Sequence, residues 1–307
     1  MFKTRIVILG ANGQLGRSFT KNIVDRCDCY SLPREIAPID DLTKTKKILL
    51  KIRPNVVINT AAYTKVDQAE TEPDAAYEIN SCAVKSLAQF CKHQSMTLVH
   101  FSTDYVFDGT STDRYKETDN AKPLSVYGLS KLKADEAIVA EQMDALIFRV
   151  SWVYSPHGSN FPRTILKAAE KNASLKIIND QIGAPTSTDL ISKTVIQCLR
   201  QYLSCSKRKK AELSGIYNLT ASGDATWYDF AKYLIEGWGA LTSKPLCDPG
   251  QILPITSDEY PTLAVRPKNS LLSSNKITKC FNVDLPNWKV DANKFLSALE
   301  ELTNERT

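Results

Sequence analysis

The chain of 307 residues is 43% hydrophobic and 24% charged and carries a formal net charge of +5. These values are ordinary for a soluble globular protein, and so small a charge does not indicate nucleic-acid binding. The eight cysteines form no Cys-x-x-Cys pair and there are only three histidines, so the sequence predicts no metal site. It also has no stretch that could span a bilayer and no signal peptide, which predicts a cytoplasmic protein outside the membrane.

The first predicted elements are a buried strand, a glycine-rich turn and a helix. The apolar run at residues 5–9 is typical of a parallel strand that is buried on both faces. Gly10-Ala-Asn-Gly-Gln-Leu-Gly16 follows, and a helical pattern continues to about Arg26. Glycines there allow close approach of the backbone to a pyrophosphate at a helix N-terminus, although such turns can simply end a strand. The predicted cofactor-binding residues of this turn are Gly10, Asn12, Gly13, Gln14, Leu15 and Gly16.

The segment after the second predicted strand bears on the choice of cofactor. Its sequence is Tyr30-Ser-Leu-Pro-Arg-Glu35, with Pro33 where an acidic residue that binds a ribose 2′-hydroxyl is common. Loss of that acid and the guanidinium of Arg34 favour NADPH. Glu35 leaves NADH open, and Arg34 could also be an ordinary surface charge.

Strands and helices alternate regularly up to about residue 150. Strand-like runs recur near residues 29–32, 55–59, 97–101 and 146–150, with helical patterns near 44–52, 73–93 and 125–142. The alternation predicts an α/β fold, a doubly wound parallel sheet of the Rossmann type, over residues 1–150. Residues 151–307 should form most of a smaller, discontinuous substrate-binding lobe, with a strand near 215–221 rejoining the main sheet. We interpret the basic run Lys207–Lys210 as a solvated loop.

Two segments supply candidates for proton transfer. An apolar strand runs into Ser102 and Thr103 at the sheet edge where ligands bind, and Thr103 could donate there to a substrate oxygen. A turn or helix cap is the alternative. Tyr127 and Lys131 lie four residues apart, so on a helix the ammonium can reach the phenol and should lower its pKa, which suits proton exchange with a carbonyl or alcohol. Such a pair also occurs by chance, but here the glycine turn and Thr103 support it.

Across nearly the whole chain the sequence resembles the dTDP-4-dehydrorhamnose reductase family, a nucleotide-sugar branch of the extended short-chain dehydrogenases/reductases. The similar segments, in the family's order, are residues 59–67, 100–109, 126–131, 148–154, 178–186 and 266–270. The resemblance implies NAD(P)H-dependent reduction of the C4 ketone of dTDP-4-dehydro-L-rhamnose to dTDP-L-rhamnose, with NADPH preferred and NADH possible. It implies a dTDP-linked 4-keto-6-deoxy sugar as the partner molecule.

The resemblance also implies roles for individual residues. Tyr127 would protonate O4, Thr103 would donate a second hydrogen bond, and Lys131 would also hold the nicotinamide ribose. On the substrate side it adds Asp104, Trp152, Asn160 and Arg266, although Trp152 could equally be a core aromatic residue. On the cofactor side it adds Ser102, Ala61, Ala62 and Tyr63, with Asp41 and Leu42 flanking the adenine.

One departure from the family concerns metal. Some relatives carry an acidic residue of a subunit-bridging metal site on the first helix, where this chain has Ser18. We therefore expect no required metal, and a homodimer would rest on other contacts.

Other activities stay open on the sequence alone. A dehydratase would need an acidic pair after Thr103, and Tyr105 after Asp104 disfavours it. A 4-epimerase needs only the hydride and proton machinery, and a non-catalytic subunit similar to the regulatory subunit of methionine adenosyltransferase is a further alternative. Another 4-keto sugar, or UDP in place of dTDP, would also fit the sequence.

Overall fold

The computed structural model describes residues 4–23, 27–242 and 246–304. The strands of these ranges are β1 (Thr4–Leu9), β2 (Cys27–Leu32), β3 (Val56–Asn59), β4 (Thr97–Thr103), β5 (Ala145–Val150), β6 (Val153–Tyr154), β7 (Leu175–Ile178), β8 (Ile182–Gly183), β9 (Thr186–Ser187), β10 (Gly215–Asn218), β11 (Ala225–Thr226) and β12 (Ile252–Ile255). The α-helices are α1 (Gln14–Asn22), α2 (Leu42–Ile52), α3 (Val66–Thr71), α4 (Pro73–Tyr77), α5 (Ala83–His93), α6 (Val126–Ala140), α7 (Phe161–Ala169), α8 (Thr188–Ser204), α9 (Lys207–Leu213), α10 (Trp227–Thr242), α11 (Asn275–Phe281) and α12 (Trp288–Asn304).

A six-stranded parallel sheet with the order β10-β5-β4-β3-β1-β2 forms the centre of the fold. The chain leaves β1 toward β2 on one side and then places β3 on the other side of β1. This reversal opens a crevice beyond the carboxyl ends of β1 and β3, where open α/β sheets bind their ligands. The predicted fold class, a doubly wound α/β sheet, is confirmed.

Helices cover both faces of the sheet, which explains why its strands are almost continuously apolar. One face packs on Phe19 of α1, Ile191 of α8 and Phe281 of α11. The opposite face packs on Leu49 of α2 and Leu87 of α5, together with residues of α6. The sheet is therefore a rigid base that fixes the directions of the loops at its carboxyl edge.

A second hydrophobic core lies in the C-terminal half and joins α7, α10 and α12. Three two-stranded sheets surround it, pairing β7 with β12, β8 with β11 and β6 with β9. The C-terminal half also returns to the main sheet, because β10 pairs with β5 and α8 packs against α1. Within the described ranges, no helix has the length and apolar character needed to cross a bilayer.

Two elements differ from the sequence predictions. The helix expected over residues 73–93 is interrupted by a π-helical turn at Glu78–Cys82. The expected loop at Lys207–Lys210 is wrong, because these residues open α9, capped by the Ser206 hydroxyl and stabilised by ion pairs to Glu212. Residues 24–26, at the expected end of the first helix, lie outside the described residues.

Candidate active site

A cavity of about 600 Å³ opens at the carboxyl edge of the main sheet. The predicted site residues that line it are Gly10, Asn12, Gly13, Gln14, Leu15, Arg34, Ala61, Ala62, Ser102, Thr103, Asp104, Tyr127, Lys131, Trp152 and Asn160. They come from the glycine turn, from the ends of β2, β3 and β4, and from α6 and the loop before α7. The fold thus brings most of the predicted cofactor side and substrate side to one cavity.

Five predicted site residues lie outside the cavity wall, namely Gly16, Asp41, Leu42, Tyr63 and Arg266. Asp41 caps α2 by accepting a hydrogen bond from the Lys44 amide, and its neighbour Asp40 lines the cavity instead. The Tyr63 hydroxyl donates to Glu72 at 2.8 Å. Gly16 packs beneath the turn, against the carbonyl of Gly10.

The glycine turn has the geometry of an anion cradle. Gly10 has φ +75°, and a Cβ there would lie 2.8 Å from the Ala61 amide nitrogen, so a side chain is excluded. Gly13 precedes α1, and in the described structure no side chain caps this helix terminus. Its amides and positive dipole end are therefore available to a phosphate.

Thr103 and Tyr127 meet over the cavity. The Thr103 hydroxyl donates to Asp104 Oδ1 at 2.9 Å and accepts from the Tyr105 amide, and it lies close enough to the Tyr127 phenol to lower the pKa of that group. The cap that we considered for this segment is therefore real, and it coexists with exposure of Thr103 to the cavity. Lys131, 2% exposed, lies one turn beyond Tyr127 on α6.

The π-helical turn holds the register of α6 at Tyr127. Its buried Asn80 accepts from the Tyr63 amide and donates to the Tyr63 carbonyl and the Ser130 hydroxyl. Ser130 in turn donates to the Tyr127 carbonyl at 2.8 Å. Wide helical turns of this kind recur at functional sites. This one connects α6 to the loop after β3.

The electrostatics of Tyr127 correct the sequence prediction. Burial, and then the negative charge of Asp104, raise the pKa of the Tyr127 phenol above its ordinary value, opposed by the hydrogen bond with Thr103. Burial lowers the pKa of Lys131 to about 8, opposed by Asp135. Lys131 is not among the groups that shift the Tyr127 pKa, so the expected lowering by its ammonium is absent. Because its pKa is raised, the Tyr127 phenol stays protonated at neutral pH.

Asp104 and Arg266 take different positions. Asp104 is buried beside Thr103 and accepts hydrogen bonds from the hydroxyls of Thr103 and Ser151, yet burial raises its pKa to about 6. Arg266 forms a two-pronged ion pair with Asp67, at 3.2 and 2.6 Å, and interacts electrostatically with Tyr105, which lines the cavity. Arg266 therefore lies behind Tyr105, outside the residues that line the cavity.

Three aromatic side chains form another part of the cavity wall. The rings of Trp152 and Trp227 stack at 3.5 Å and 5°, and Phe161 packs on Trp227 at 4.5 Å. Trp152 has φ 47°, a strained value for a bulky residue. Since strain of this kind persists only where the surroundings enforce it, the position serves the cavity more than the core.

Gln14 joins the glycine turn to this wall. Its Oε1 accepts from Asn160 Nδ2 at 2.7 Å and from the Ser155 hydroxyl at 3.1 Å, and its Nε2 donates to the Ser159 carbonyl. Asn160 also caps α7 through its Oδ1. The Asn160 side chain is consequently shared between the cap and the turn.

Sequence reasoning missed several residues of the site. Asp40, Tyr105 and Trp227 line the cavity, and His100 lies beneath it, bonded to Lys131. Tyr105 could have been found from its place directly after Asp104. The local sequence around Trp227 gives no comparable signal.

The doubly wound sheet, the glycine turn and the group formed by Thr103, Tyr127 and Lys131 define an extended short-chain dehydrogenase/reductase. Comparison with known proteins agrees. The family described as "RmlD substrate binding domain" matches residues 4–301. The dTDP-4-dehydrorhamnose reductase of Sinorhizobium fredii (strain NBRC 101917 / NGR234) is 37% identical over 96% of this chain and 97% of its own length.

Two further comparisons identify the family within the extended short-chain dehydrogenases/reductases. The dTDP-4-dehydrorhamnose reductase of Aggregatibacter actinomycetemcomitans is 38% identical over 93% of this chain and 96% of its own. The crystal structure of the Bacillus anthracis str. Ames dTDP-4-dehydrorhamnose reductase in complex with NADP has a TM-score of 0.87 and 29% identity, covering 97% of this chain and 100% of that one. This chain therefore belongs to the dTDP-4-dehydrorhamnose reductase family, and the resemblance seen in the sequence is confirmed.

Proposed function

We propose that this protein reduces the C4 ketone of dTDP-4-dehydro-L-rhamnose to dTDP-L-rhamnose, with NADPH as the preferred cofactor and NADH as a second one. The observation that carries this proposal is that Thr103, Tyr127 and Lys131 line one cavity, which begins at an uncapped, glycine-rich helix terminus. Membership of the reductase family supports the same activity.

The residues present fit a dinucleotide. The Gly10 turn admits a pyrophosphate where a Cβ would collide with Ala61, and the amides at the start of α1 would hold it. Arg34 is exposed at the cavity end and carries the guanidinium that a ribose 2′-phosphate requires. NADP in the Bacillus anthracis relative supports this assignment.

The chain's own residues handle the proton. Bound NADPH supplies a hydride, and the protein's task is to stabilise and protonate the oxygen on which negative charge then grows. The raised pKa keeps Tyr127 protonated until that oxygen takes its proton, and the Thr103 hydroxyl turns from Asp104 to donate a second hydrogen bond to the same oxygen. Lys131 is buried in the wall of the same cavity, one helical turn beyond Tyr127, from which it can hold the nicotinamide ribose.

On the substrate side we assign Asp104, Trp152 and Asn160 to the sugar nucleotide, with Arg266 acting through Tyr105. In this proposal residues 1–150 form the cofactor domain and residues 151–307 most of the substrate lobe. A cytoplasmic location and a homodimer stay predictions.

NADPH oxidation with freshly generated dTDP-4-dehydro-L-rhamnose tests the activity. Tyr127→Phe should lower kcat by roughly 10²–10⁴, because the proton donor is removed. Tyr260→Phe is the control, since it removes an exposed phenol that does not line the cavity. Absence of sugar-dependent oxidation by the wild-type protein, or equal loss in both variants, contradicts the proposal. Wild-type activity on another 4-keto sugar alone would reassign the substrate.

A further inference from the structure

A stacked ring covers one face of the Trp152 indole. Trp227, the first residue of α10, has its ring centroid 3.5 Å from that of Trp152, with an angle of 5° between the two planes. Phe161 packs on the Trp227 ring, and the Trp227 Nε1–H donates to Gln181 Oε1 at 3.2 Å. Because these contacts fix the plane of Trp227, its ring is a firm support for Trp152.

Gly183 contacts a face of the same indole. A Cβ at Gly183 would lie nearest to Cε2 of Trp152, and then 2.7 and 2.8 Å from Nε1 and Cζ2, which are bonded to Cε2. A point beyond the rim of the ring would lie closer to Nε1 and Cζ2 than to Cε2. The Cβ position is therefore above the ring plane, and the glycine backbone itself lies against the indole face.

Trp227 and Gly183 lie on opposite faces of Trp152. If Trp227 were stacked on the face that Gly183 contacts, its ring atoms would be the nearest neighbours of the Cβ position. The three nearest atoms all belong to Trp152. One small sheet carries both supports, because Gly183 of β8 pairs with Ala225 of β11, two residues before Trp227. The indole is thus held between two residues whose separation the sheet determines.

The place of Trp152 in the chain brings it close to the predicted reaction centre. Val150, at the end of β5, is the register partner of Thr103, and the hydroxyl of the next residue, Ser151, donates to Asp104 at 3.0 Å. Trp152 follows directly and lines the same cavity as Thr103. Since both faces of the indole are covered, a ligand ring cannot stack on it, and a ligand in the cavity meets its edge.

We propose that Gly183 and Trp227 are positioning residues that hold the edge of the Trp152 indole against the sugar ring of the substrate. The edge limits how far the ring enters the cavity, and so it sets where C4 lies relative to Tyr127. The φ of 47° at Trp152 agrees, because a bulky residue keeps such a backbone only where its surroundings enforce it. The meaning of this sandwich for the reaction rests on the proposed reductase function.

Calorimetric binding of dTDP-L-rhamnose and of dTDP to the full chain tests the proposal, because the difference between the two ligands isolates the sugar. Trp227→Leu removes the flat support. It should weaken binding of dTDP-L-rhamnose by roughly three- to tenfold, as expected for a lost aromatic pair, and change dTDP binding by less than about twofold. Trp227→Phe keeps a flat ring and should restore most of the affinity.

A double-mutant cycle separates positioning from direct contact, since Trp227 also lines the cavity. In a Trp152→Ala background, Trp227→Leu should change the affinity for dTDP-L-rhamnose by less than about twofold, because the indole that it supports is already gone. An effect as large as in the wild-type background would mean that Trp227 contacts the sugar itself, and it would overturn the proposal.

Gly183→Ala tests the opposite face. Gly183 is not one of the described residues that line the cavity, so its new methyl group acts on the sugar by displacing Trp152. This variant should also lose roughly three- to tenfold in affinity for dTDP-L-rhamnose. Gly239→Ala, where a Cβ makes only an ordinary contact with Leu246, is the control and should leave both affinities unchanged.

Two results would overturn the proposal. One is a folded Gly183→Ala protein with wild-type affinity for dTDP-L-rhamnose, and the other is a wild-type protein that binds dTDP-L-rhamnose no more tightly than dTDP. Binding needs no turnover, so the two proposals can fail separately. Sugar-dependent binding that responds to the variants as expected, without NADPH oxidation, would support the sandwich and refute only the proposed reduction.

Discussion

Replacing Asp104 by asparagine should change how the stability of this protein depends on pH. Asp104 is 3% exposed and accepts from two side-chain hydroxyls, yet burial outweighs these bonds and raises its pKa from 3.8 to about 6. The folded protein therefore binds this proton more tightly than the unfolded chain. The stability that the proton confers is complete below about pH 4 and is lost as the pH rises through about 6.

The size of this effect follows from the shift. About two pKa units correspond to about 3 kcal/mol in the free energy of unfolding. An asparagine cannot ionise, so Asp104→Asn lacks this loss. Rearranged hydrogen bonds with Thr103 and Ser151 add a cost to the variant, but that cost does not depend on pH. The difference in the free energy of unfolding, variant minus wild type, should therefore rise by about 3 kcal/mol between pH 4 and pH 7.

Urea unfolding of both proteins at a series of pH values measures this difference. Glu136→Gln, on the exposed face of α6, is the matched control, and its difference from wild type should stay flat. A flat difference for Asp104→Asn as well would refute the assignment of a raised pKa to Asp104. Because the charge of Asp104 also raises the pKa of Tyr127, the alkaline limit of activity should move to lower pH in the same variant.

Two further predictions concern the cofactor side. Asp40 holds Arg34 in an exposed ion pair at 2.6 Å, so Asp40→Asn should free the guanidinium and tighten binding of 2′,5′-ADP by roughly two- to fivefold, with 5′-AMP binding unchanged by calorimetry. Equal changes for both nucleotides would contradict a role in 2′-phosphate recognition. Gly10→Ala should destabilise the protein by about 1–3 kcal/mol through its left-handed φ and collision with the loop after β3. Gly239→Ala, inside a helix, is the control and should not lower the free energy of unfolding measured in urea. If Gly10→Ala lowers it no more than Gly239→Ala does, the steric explanation is wrong.

Local patterns were sufficient to predict the central sheet and to select Thr103, Tyr127 and Lys131, which the fold brings to one cavity. The apolar strands, the glycine turn and the four-residue spacing of Tyr127 and Lys131 each depend on short-range geometry, which a few neighbouring residues determine. The same locality explains one miss, because a π-helical turn depends on what Asn80 binds across the fold. The other miss was a local signal that was overlooked, since the basic stretch at 207–210 is helical through its neighbours, the Ser206 cap and Glu212.

The sequence by itself determined the fold class and the family and led to the proposed proton-transfer residues, because backbone periodicity and short motifs encode them. Only the tertiary structure decided which distant side chains meet. It stacks Trp227 on Trp152, ties Gln14 to Asn160 and sets His100 against Lys131. It also decided the sign of the pKa shift at Tyr127, since burial and neighbouring charges depend on the packing of the whole chain and no local spacing contains them.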